Sequence, residues 1–172
     1  MNMGKALQKA VGNAEEQSCQ YLTFILAEEE YGVEILRVQE IRGWTKVTPM
    51  PNSPSYLKGI LHLRDHVVPI IDLRARFGME SLEYGPTTVV IVLQVESSSL
   101  GQVIGIVVDA VSEVYTFNVD DCQVPPVGDI VEEKFVNGLV KIDEKMVILL
   151  DVDILLNASV LNSITSSTET QL

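Results

Sequence analysis

The sequence has few of the residues that build metal or disulfide sites. Its 172 residues include two cysteines, Cys19 and Cys122, and two histidines, His62 and His66. The cysteines are distant in sequence and form no CxxC pair, which argues against a disulfide framework or a zinc site. The histidines have only Asp65 as a neighbouring third ligand, in a spacing that is not a known metal-binding pattern. We therefore expect neither a metal nor a cofactor.

Catalytic signatures are missing as well. The sequence contains no GxSxG elbow, no GxxxxGK[ST] loop and no GxGxxG turn. The acidic pairs Asp120-Asp121 and Glu132-Glu133 fall in predicted loops and are more typical of solvated side chains than of an acid–base pair. Because nothing assembles a nucleophile, a base and an orienting group, the sequence favours a binding module over an enzyme.

Basic residues are scarce, with 12 lysines and arginines against 24 acidic residues and a net charge of −12. A nucleic-acid-binding surface needs a basic stripe and, for single strands, stacking aromatics, which make up 6% of this chain. We therefore expect no nucleic-acid partner. Residues 1–86 carry a net charge of −2 and residues 87–172 one of −10, whereas all five arginines lie between positions 37 and 76. This pattern fits either a solvated acidic surface or two faces of different potential for two partners.

Long apolar runs are absent too. No run approaches the ~20 residues of a membrane span, and the first 20 residues lack the apolar stretch of a secretory signal. The expectation is a cytoplasmic protein without membrane insertion. Hydrophobic residues nevertheless make up 47% of the chain, enough to bury a core in one domain or two very small ones. The ends, residues 1–18 and 159–172, are expected to be flexible and disordered.

Most apolar segments have the length and β-branched composition of strands. No long amphipathic helix precedes Ile154, so an all-β fold of short strands with short helical segments is predicted. Pro69 would place its strand at a sheet edge or a bulge, because proline cannot donate to a ladder. Val38 and Ile41 are expected in a short helical turn. The predicted strands are Tyr21–Leu26, Tyr31–Ile35, Val67–Leu73, Val89–Val95, Val103–Val108 and Met146–Val152.

The two halves of the sequence resemble each other. Residues 31–41 align with 104–114 at an offset of 73, which matches Gly32 to Gly105 and Val38 to Val111. Three further alignments keep the same order: 21–26 with 88–93, 56–59 with 135–138, and 67–73 with 146–152, so that Asp72 meets Asp151. A repeat of about 70–80 residues predicts two pseudo-symmetric barrels of roughly five strands, with a groove for a partner where they meet.

We divide the chain accordingly. Residues 19–158 form the folded unit, with the first barrel from residues 19–30 and 45–86, a crossover at 31–44, and the second barrel from 87–158. This division assumes that each half of the repeat builds its own barrel.

Three stretches resemble a known family. They are residues 28–44 (EEEYGVEILRVQEIRGW), 51–78 (PNSPSYLKGILHLRDHVVPIIDLRARFG) and 105–114 (GIVVDAVSEV). In this order they resemble the bacterial chemotaxis coupling proteins of the CheW family, from about Cys19 to Asn157. The resemblance implies two SH3-like barrels without catalytic activity that link chemoreceptor cytoplasmic tips to the regulatory domain of the histidine kinase CheA. It also implies contacts with further copies of the coupler in array rings and recruitment to receptor arrays at the inner face of the cell membrane.

In that family a receptor hairpin lies in the groove between the barrels. Carried over to this chain, the implied groove residues are Leu22, Ile35, Val38, Glu40, Ile41 and Val111, with Glu40 at the rim. Val38 and Val111 are also equivalent in the internal repeat, which places both at the groove independently of the resemblance. The alternative for each aliphatic residue is ordinary core packing.

The resemblance implies a kinase contact on the loop side of the first barrel, at Lys58, Gly59, Arg64 and Asp65. Arg64 offers forked donors for a partner's carboxylate, and its alternative is an internal ion pair with Asp65 or Asp72. The family pattern there is Asn-Leu-Arg-Gly, whereas residues 62–65 of this chain read HLRD. An aspartate in place of glycine reduces access to positive φ and puts a negative charge beside the arginine.

Two other functions stay open at this point. One is a paralogous adaptor of another chemosensory system, such as one that controls surface motility. The other is a small-ligand-binding β-barrel.

Overall fold

The computed structural model describes residues 18–96, 102–123 and 133–156. Within these residues the chain forms ten strands and two short α-helices, α1 (Leu73–Arg76) and α2 (Val152–Leu155), with 3₁₀ turns at Ile35–Arg37, Val119–Asp121 and Glu133–Phe135. The strands are β1 (Ser18–Leu26), β2 (Glu29–Glu34), β3 (Val38–Gly43), β4 (Leu57–Leu63), β5 (His66–Asp72), β6 (Val89–Val95), β7 (Gln102–Val108), β8 (Ala110–Asn118), β9 (Val136–Ile142) and β10 (Lys145–Leu150). The predicted all-β fold is confirmed. The predictions for residues 1–17 and 157–172 lie outside the described residues.

The ten strands form two five-stranded sheets of equivalent order. Sheet A has the order β8-β1-β2-β10-β9 and sheet B the order β3-β6-β7-β5-β4. Exchanging each strand for the one five places away along the chain converts one order into the other. An isolated bridge from Gln123 to Leu139 continues sheet A beyond β9, and one from Thr48 to Ile60 continues sheet B beyond β4. Sheets A and B are called barrel A and barrel B below.

The predicted division of the chain between the barrels was wrong. Strands β1 and β2 pair with β8 and β10 rather than with β4 and β5. Each barrel therefore combines two strands from one half of the chain with three from the other. The chain passes from sheet A to sheet B through the Ile35–Arg37 turn, and it returns at Asp109, between β7 and β8. An alignment of the two halves identifies equivalent strands, but the offset between them does not show which strands pair by hydrogen bonds.

The largest core lies between the two sheets. Along each central strand, alternate side chains face this inter-barrel core and the barrel interior, as the period of two in a β-strand requires. In β7, for example, Ile104 and Ile106 are fully buried in the inter-barrel core, while Val107 packs inside barrel B. The interior of barrel A is lined by Tyr21 and Val147, among others. Most of the apolar burial that holds the barrels together therefore lies at their shared face.

The barrel interiors are narrow, which explains one of the glycines matched by the repeat. A Cβ atom on Gly105 would lie 2.7 Å from Ile70 Cδ1 and 2.8 Å from Val90 Cγ1. Its counterpart Gly32 has 3.3 Å to the nearest atom, on Leu149. The close packing therefore requires glycine at Gly105, whereas at Gly32 a methyl group would need only a small shift of the Leu149 side chain.

Two local predictions differ from the structure. Val38 and Ile41 belong to strand β3, and the helical turn precedes them at Ile35–Arg37. Strand β5 lies between β4 and β7 and is not an edge strand. Pro69 is tolerated because pairing with β7 begins only at Ile70, so the missing N–H faces no ladder there.

Matched aspartates end the equivalent strands β5 and β10. Asp72 caps α1 by accepting from the N–H of Ala75 (3.3 Å), and Asp151 caps α2 by accepting from the N–H of Ile154 (3.1 Å). An aspartate at this position satisfies one of the free N–H groups of the first helical turn. The alignment of the two aspartates therefore reflects a shared structural role.

Each chain crossover is tied down by a bidentate arginine–aspartate pair. Arg37 donates to Asp153 of α2 (2.9 and 2.6 Å), whose carboxylate also accepts the N–H of Glu96 at the end of β6. At the other crossover, Arg74 of α1 donates to Asp109 (2.9 and 2.7 Å). The two pairs occupy equivalent places with the charges exchanged. One pair joins the helix after β10 to the connection between β2 and β3, and the other joins the helix after β5 to the connection between β7 and β8.

Candidate functional site

Two of the predicted groove residues, Val38 and Ile41, lie on the face of strand β3 that borders the inter-barrel core. Val38 lies opposite Leu93, and Ile41 lies opposite Ile91. Directly opposed residues of an antiparallel pair share a face. Because Leu93 and Ile91 are fully buried in the inter-barrel core, Val38 and Ile41 extend that core to the surface. Val38 is half-buried, whereas 43% of Ile41 is exposed.

Strand β8 provides the equivalent margin of sheet A. Val111 lies opposite Phe24, and Val114 lies opposite Leu22, and both partners are buried in the same inter-barrel core. Val111 is half-buried and 48% of Val114 is exposed. Sequence reasoning missed Val114, although the alignment of residues 31–41 with 104–114 matches it to Ile41. The apolar groove is therefore defined here by two equivalent pairs, Val38 with Ile41 and Val111 with Val114.

The other three predicted groove residues take different positions. Ile35, in the crossover turn, packs half-buried against the same core and belongs to the groove margin. Leu22 is 3% exposed and lies beneath the groove as core rather than lining it. Glu40 lies opposite Val92, which packs inside barrel B, so it occupies the opposite face of β3 from Val38. A bulge between Val38 and Glu40 produces this change of face.

A cleft of about 400 Å³ continues the groove margin towards the start of β1. Its lining includes Tyr21, Glu34 and Ile35, together with Leu36, the most exposed large hydrophobic residue, at 90%. Burial and the nearby Glu34 carboxylate raise the pKa of Tyr21 to about 12, so its hydroxyl stays neutral. The cleft therefore combines apolar side chains with the neutral polar residues Ser18 and Gln20, and Glu34 is the charged residue of its lining.

Two thiols lie near the cleft. Cys19 and Cys122, far apart in sequence, both pack against the cluster inside barrel A. Burial raises the pKa of both, and the neighbouring Cys19 sulfur adds to the effect at Cys122. The thiolate form is disfavoured at each, which suits a packing role.

The predicted kinase-contact residues lie on the hairpin between β4 and β5. Arg64 and Asp65 form its exposed turn, and Lys58 is half-buried at the base. The residue with positive φ is Arg64, at 56°, and Asp65 keeps a negative φ, so the aspartate introduces no backbone strain. Within the described residues Arg64 has no carboxylate within 4.0 Å, and Asp72 instead accepts the hydroxyl of Tyr84. The guanidinium is left available at the hairpin tip.

Gly59 has a structural position instead. It is buried, its φ is 149°, and a Cβ atom would overlap the carbonyl oxygen of Thr48. This close approach admits the Thr48 N–H to Ile60 carbonyl bond (3.0 Å) that continues sheet B. Glycine is required for the fold at this position, and its predicted contact with a partner stays a prediction.

The fold defines the class of protein: a domain of two equivalent five-stranded barrels, with apolar side chains at the margin of their shared core and a separate charged hairpin. No helix in the described part of the chain is long and apolar enough to cross a membrane.

Comparison with known proteins agrees with this class. Residues 20–160 match the family model of the CheW-like domain. The chain is 42% identical over 141 residues to the chemotaxis protein CheW of Klebsiella aerogenes, covering 81% of this chain and 82% of that protein. It is 40% identical over 133 residues to CheW of Rhizobium meliloti, covering 77% and 83%. The crystal structure of the scaffolding protein TtCheW from Thermoanaerobacter tengcongensis superposes with a TM-score of 0.74 at 32% identity, covering 83% of this chain and 90% of that one.

The chain belongs to the CheW family. It is therefore a scaffold and adaptor protein of chemotaxis signalling without catalytic activity, as the sequence predicted. The SH3-like character of the two barrels is confirmed by the same structural likeness.

Proposed function

We propose that this protein couples the cytoplasmic tips of chemoreceptors to the regulatory domain of the histidine kinase CheA, in signalling arrays at the inner face of the cell membrane. The apolar groove would receive the receptor, and the β4–β5 hairpin would contact the kinase. Further copies of the chain would join in the array rings. No step of chemistry is involved, because the signal passes as a difference in contact free energy between receptor states.

The observation that carries the proposal is the symmetry of the apolar groove. Two equivalent pairs, Val38 with Ile41 and Val111 with Val114, extend a single buried core to the surface on the equivalent strands β3 and β8. Such a surface fits an amphipathic helical hairpin, whose two helices present similar apolar faces. A few aliphatic anchors at the centre of an interface usually provide most of its binding energy.

We expect Val38→Asp to abolish co-sedimentation with receptor-containing membranes, because the carboxylate would be buried against an apolar partner. Val38 is half-buried, so a folding defect has to be excluded. Val114→Asp serves that purpose, since 48% of Val114 is already exposed, and Leu82→Asp, at 51%, is the matched control outside the groove. Normal co-sedimentation of folded Val114→Asp would refute the groove as the receptor site.

The hairpin supports the kinase contact by its exposure and free charge. Arg64 is held by a two-residue turn, with no ion pair among the described residues to compete for its fork. A guanidinium at such a tip can bind a partner's carboxylate through two parallel hydrogen bonds. Asp65 beside it would oppose a second carboxylate and so narrow the choice of kinase.

We expect Arg64→Ala to weaken binding of the purified kinase regulatory domain by ~10-fold while receptor binding changes less than twofold. Isothermal titration with each partner separates the two effects. Equal losses for both partners would contradict the assignment of separate faces.

A further inference from the structure

The inter-barrel core has a second margin, opposite to the apolar groove. The strand orders put β3 and β8 at one edge of their sheets and β4 and β9 at the other. Tyr56 and Phe135 directly precede β4 and β9 and are equivalent in the repeat. Their carbonyls are held alike, Tyr56 by the N–H of Asp72 and Phe135 by that of Asp151, both at 2.8 Å. The two rings therefore flank the same axis of pseudo-symmetry on the far side from Val38.

Arg76 of α1 lies between these two rings. Its guanidinium carbon is 5.4 Å from the centre of the Tyr56 ring and 4.8 Å from that of Phe135. Contacts of this kind orient the planar group and are worth roughly 0.5–2 kcal/mol each. The Nε atom is buried without a hydrogen-bond partner, whereas the side chain as a whole stays half-exposed. The terminal nitrogens of Arg76 are therefore the part that can reach an external group.

Within the described residues the Arg76 guanidinium has no carboxylate partner. Arg37, Arg42 and Arg74 each have a carboxylate within 4.0 Å there, whereas Arg76, like the exposed Arg64, has none. That is unexpected in a chain with 24 acidic residues. The Lys134 ammonium lies 5.2 Å from the Phe135 ring and adds a second positive charge to the same surface. The result is a cationic spot with aromatic walls on a strongly acidic protein.

We propose that Arg76 and Tyr56 form a docking site for an acidic segment of a partner protein, with an aspartate or glutamate carboxylate bound by the Arg76 fork. Charge complementarity selects the anion, since nothing in the described chain neutralises this guanidinium. The ring of half-buried Phe77 lies 6.1 Å from that of Phe135 and offers an apolar contact for a side chain next to that carboxylate. Met50 and Met79 pack half-buried against the same core. This site is distinct from the apolar groove and from the β4–β5 hairpin and does not depend on their functions.

The thermal stability of Arg76→Met limits how much of the role of Arg76 is structural. The replacement removes two cation–ring contacts, but it also removes the cost of the buried Nε without a hydrogen-bond partner. We therefore expect its melting temperature to fall by less than that of Arg74→Met. Arg74→Met is the matched control in the same helix, because it breaks the ion pair with Asp109 and must lower the melting temperature.

The binding test uses an array of synthetic 12-residue peptides that carry zero to four glutamates beside leucine or phenylalanine, probed with the full chain. Peptides selected from the array should bind Arg76→Met at least ~10-fold more weakly than the natural chain, and their glutamine versions should lose affinity equally. Leu82→Asp, the exposed control outside the groove, should bind them normally. Absence of any preference for glutamate, retention of binding by Arg76→Met, or a fall in its melting temperature as large as that of Arg74→Met would each overturn the proposal.

Discussion

Asp109 lies in the connection by which the chain returns to barrel A, and its charged carboxylate holds that connection in place. Asp109→Asn tests how much this charge contributes to the free energy of unfolding. Its carboxylate accepts two hydrogen bonds from Arg74 and a third from the N–H of Ala27 at 2.9 Å, in the β1–β2 turn. The side chains of Arg74 and Asp109 are 15% and 20% exposed. The pair is thus screened far less than a surface ion pair, although it is not dry.

The magnitude follows from this partial burial. Hydrogen bonds to charged groups contribute about 1.5–3 kcal/mol, and breaking a fully buried pair costs about 3–5 kcal/mol. Asparagine keeps the shape and one acceptor for Ala27 but loses the charge, so we expect Asp109→Asn to lower the free energy of unfolding by about 2 kcal/mol at pH 7. For a chain of this size that corresponds to a fall of about 4–8 °C in Tm.

The contribution of the Asp109 carboxylate to the free energy of unfolding depends on pH. Burial alone would raise the pKa of Asp109, but the hydrogen bonds from Arg74 and Ala27 lower it overall. A carboxyl with a lower pKa in the folded state stabilises the protein above the ordinary aspartate pKa of about 4 and loses that effect as the pH falls below it. The difference between the natural chain and Asp109→Asn should therefore shrink from pH 5 downwards.

Urea denaturation of the natural chain, Asp109→Asn, Arg74→Met and the double variant measures the coupling directly. Glu83→Gln, at an exposed site, is the charge control and should change stability by less than ~0.5 kcal/mol. A coupling energy below ~0.5 kcal/mol at pH 7, or one that stays constant down to pH 3, would refute the reasoning.

Two further predictions concern single positions. Gly59→Ala should unfold or severely destabilise the chain in thermal melts, because its Cβ overlaps the Thr48 carbonyl oxygen at a φ of 149°, whereas Gly43→Ala, with open space around it, should be tolerated. Normal stability of Gly59→Ala would show that the bridge to β4 can shift. Asp151→Ala removes the cap of α2 and should cost about 1 kcal/mol in urea denaturation, and no measurable loss would mean that the N–H of Ile154 finds another acceptor.

The sequence was a good guide wherever the information is local. Strand β6 was predicted at Val89–Val95, as found, because a short β-branched run bounded by turn residues has few alternatives. The matched Asp72 and Asp151 proved to be equivalent helix caps. The repeat matches Val38 to Val111, and the register places them opposite Leu93 and Phe24, two residues of the inter-barrel core.

What could not be predicted depends on pairing between distant strands. The barrel division failed because an offset between two halves contains no information on which strands exchange hydrogen bonds. The face of β3 on which Glu40 lies could not be predicted, because a bulge between Val38 and Glu40 turns this residue to the other face of the strand. A sequence pattern with a period of two does not reveal a single inserted residue. The contacts of Arg76 could not be predicted from the sequence, because its two ring partners, Tyr56 and Phe135, are 20 and 59 residues away in the chain.

The interchange of strands between the barrels has a consequence for how this protein can be taken apart. A fragment that ends between β5 and β6 contains strands β1 and β2 of barrel A and strands β3, β4 and β5 of barrel B. Neither this fragment nor the complementary one contains a complete sheet. Two such fragments should associate and restore the fold only when mixed, whereas neither should show cooperative melting alone. For the same reason, a mechanical force applied to the strands of one barrel reaches the other barrel through the chain itself.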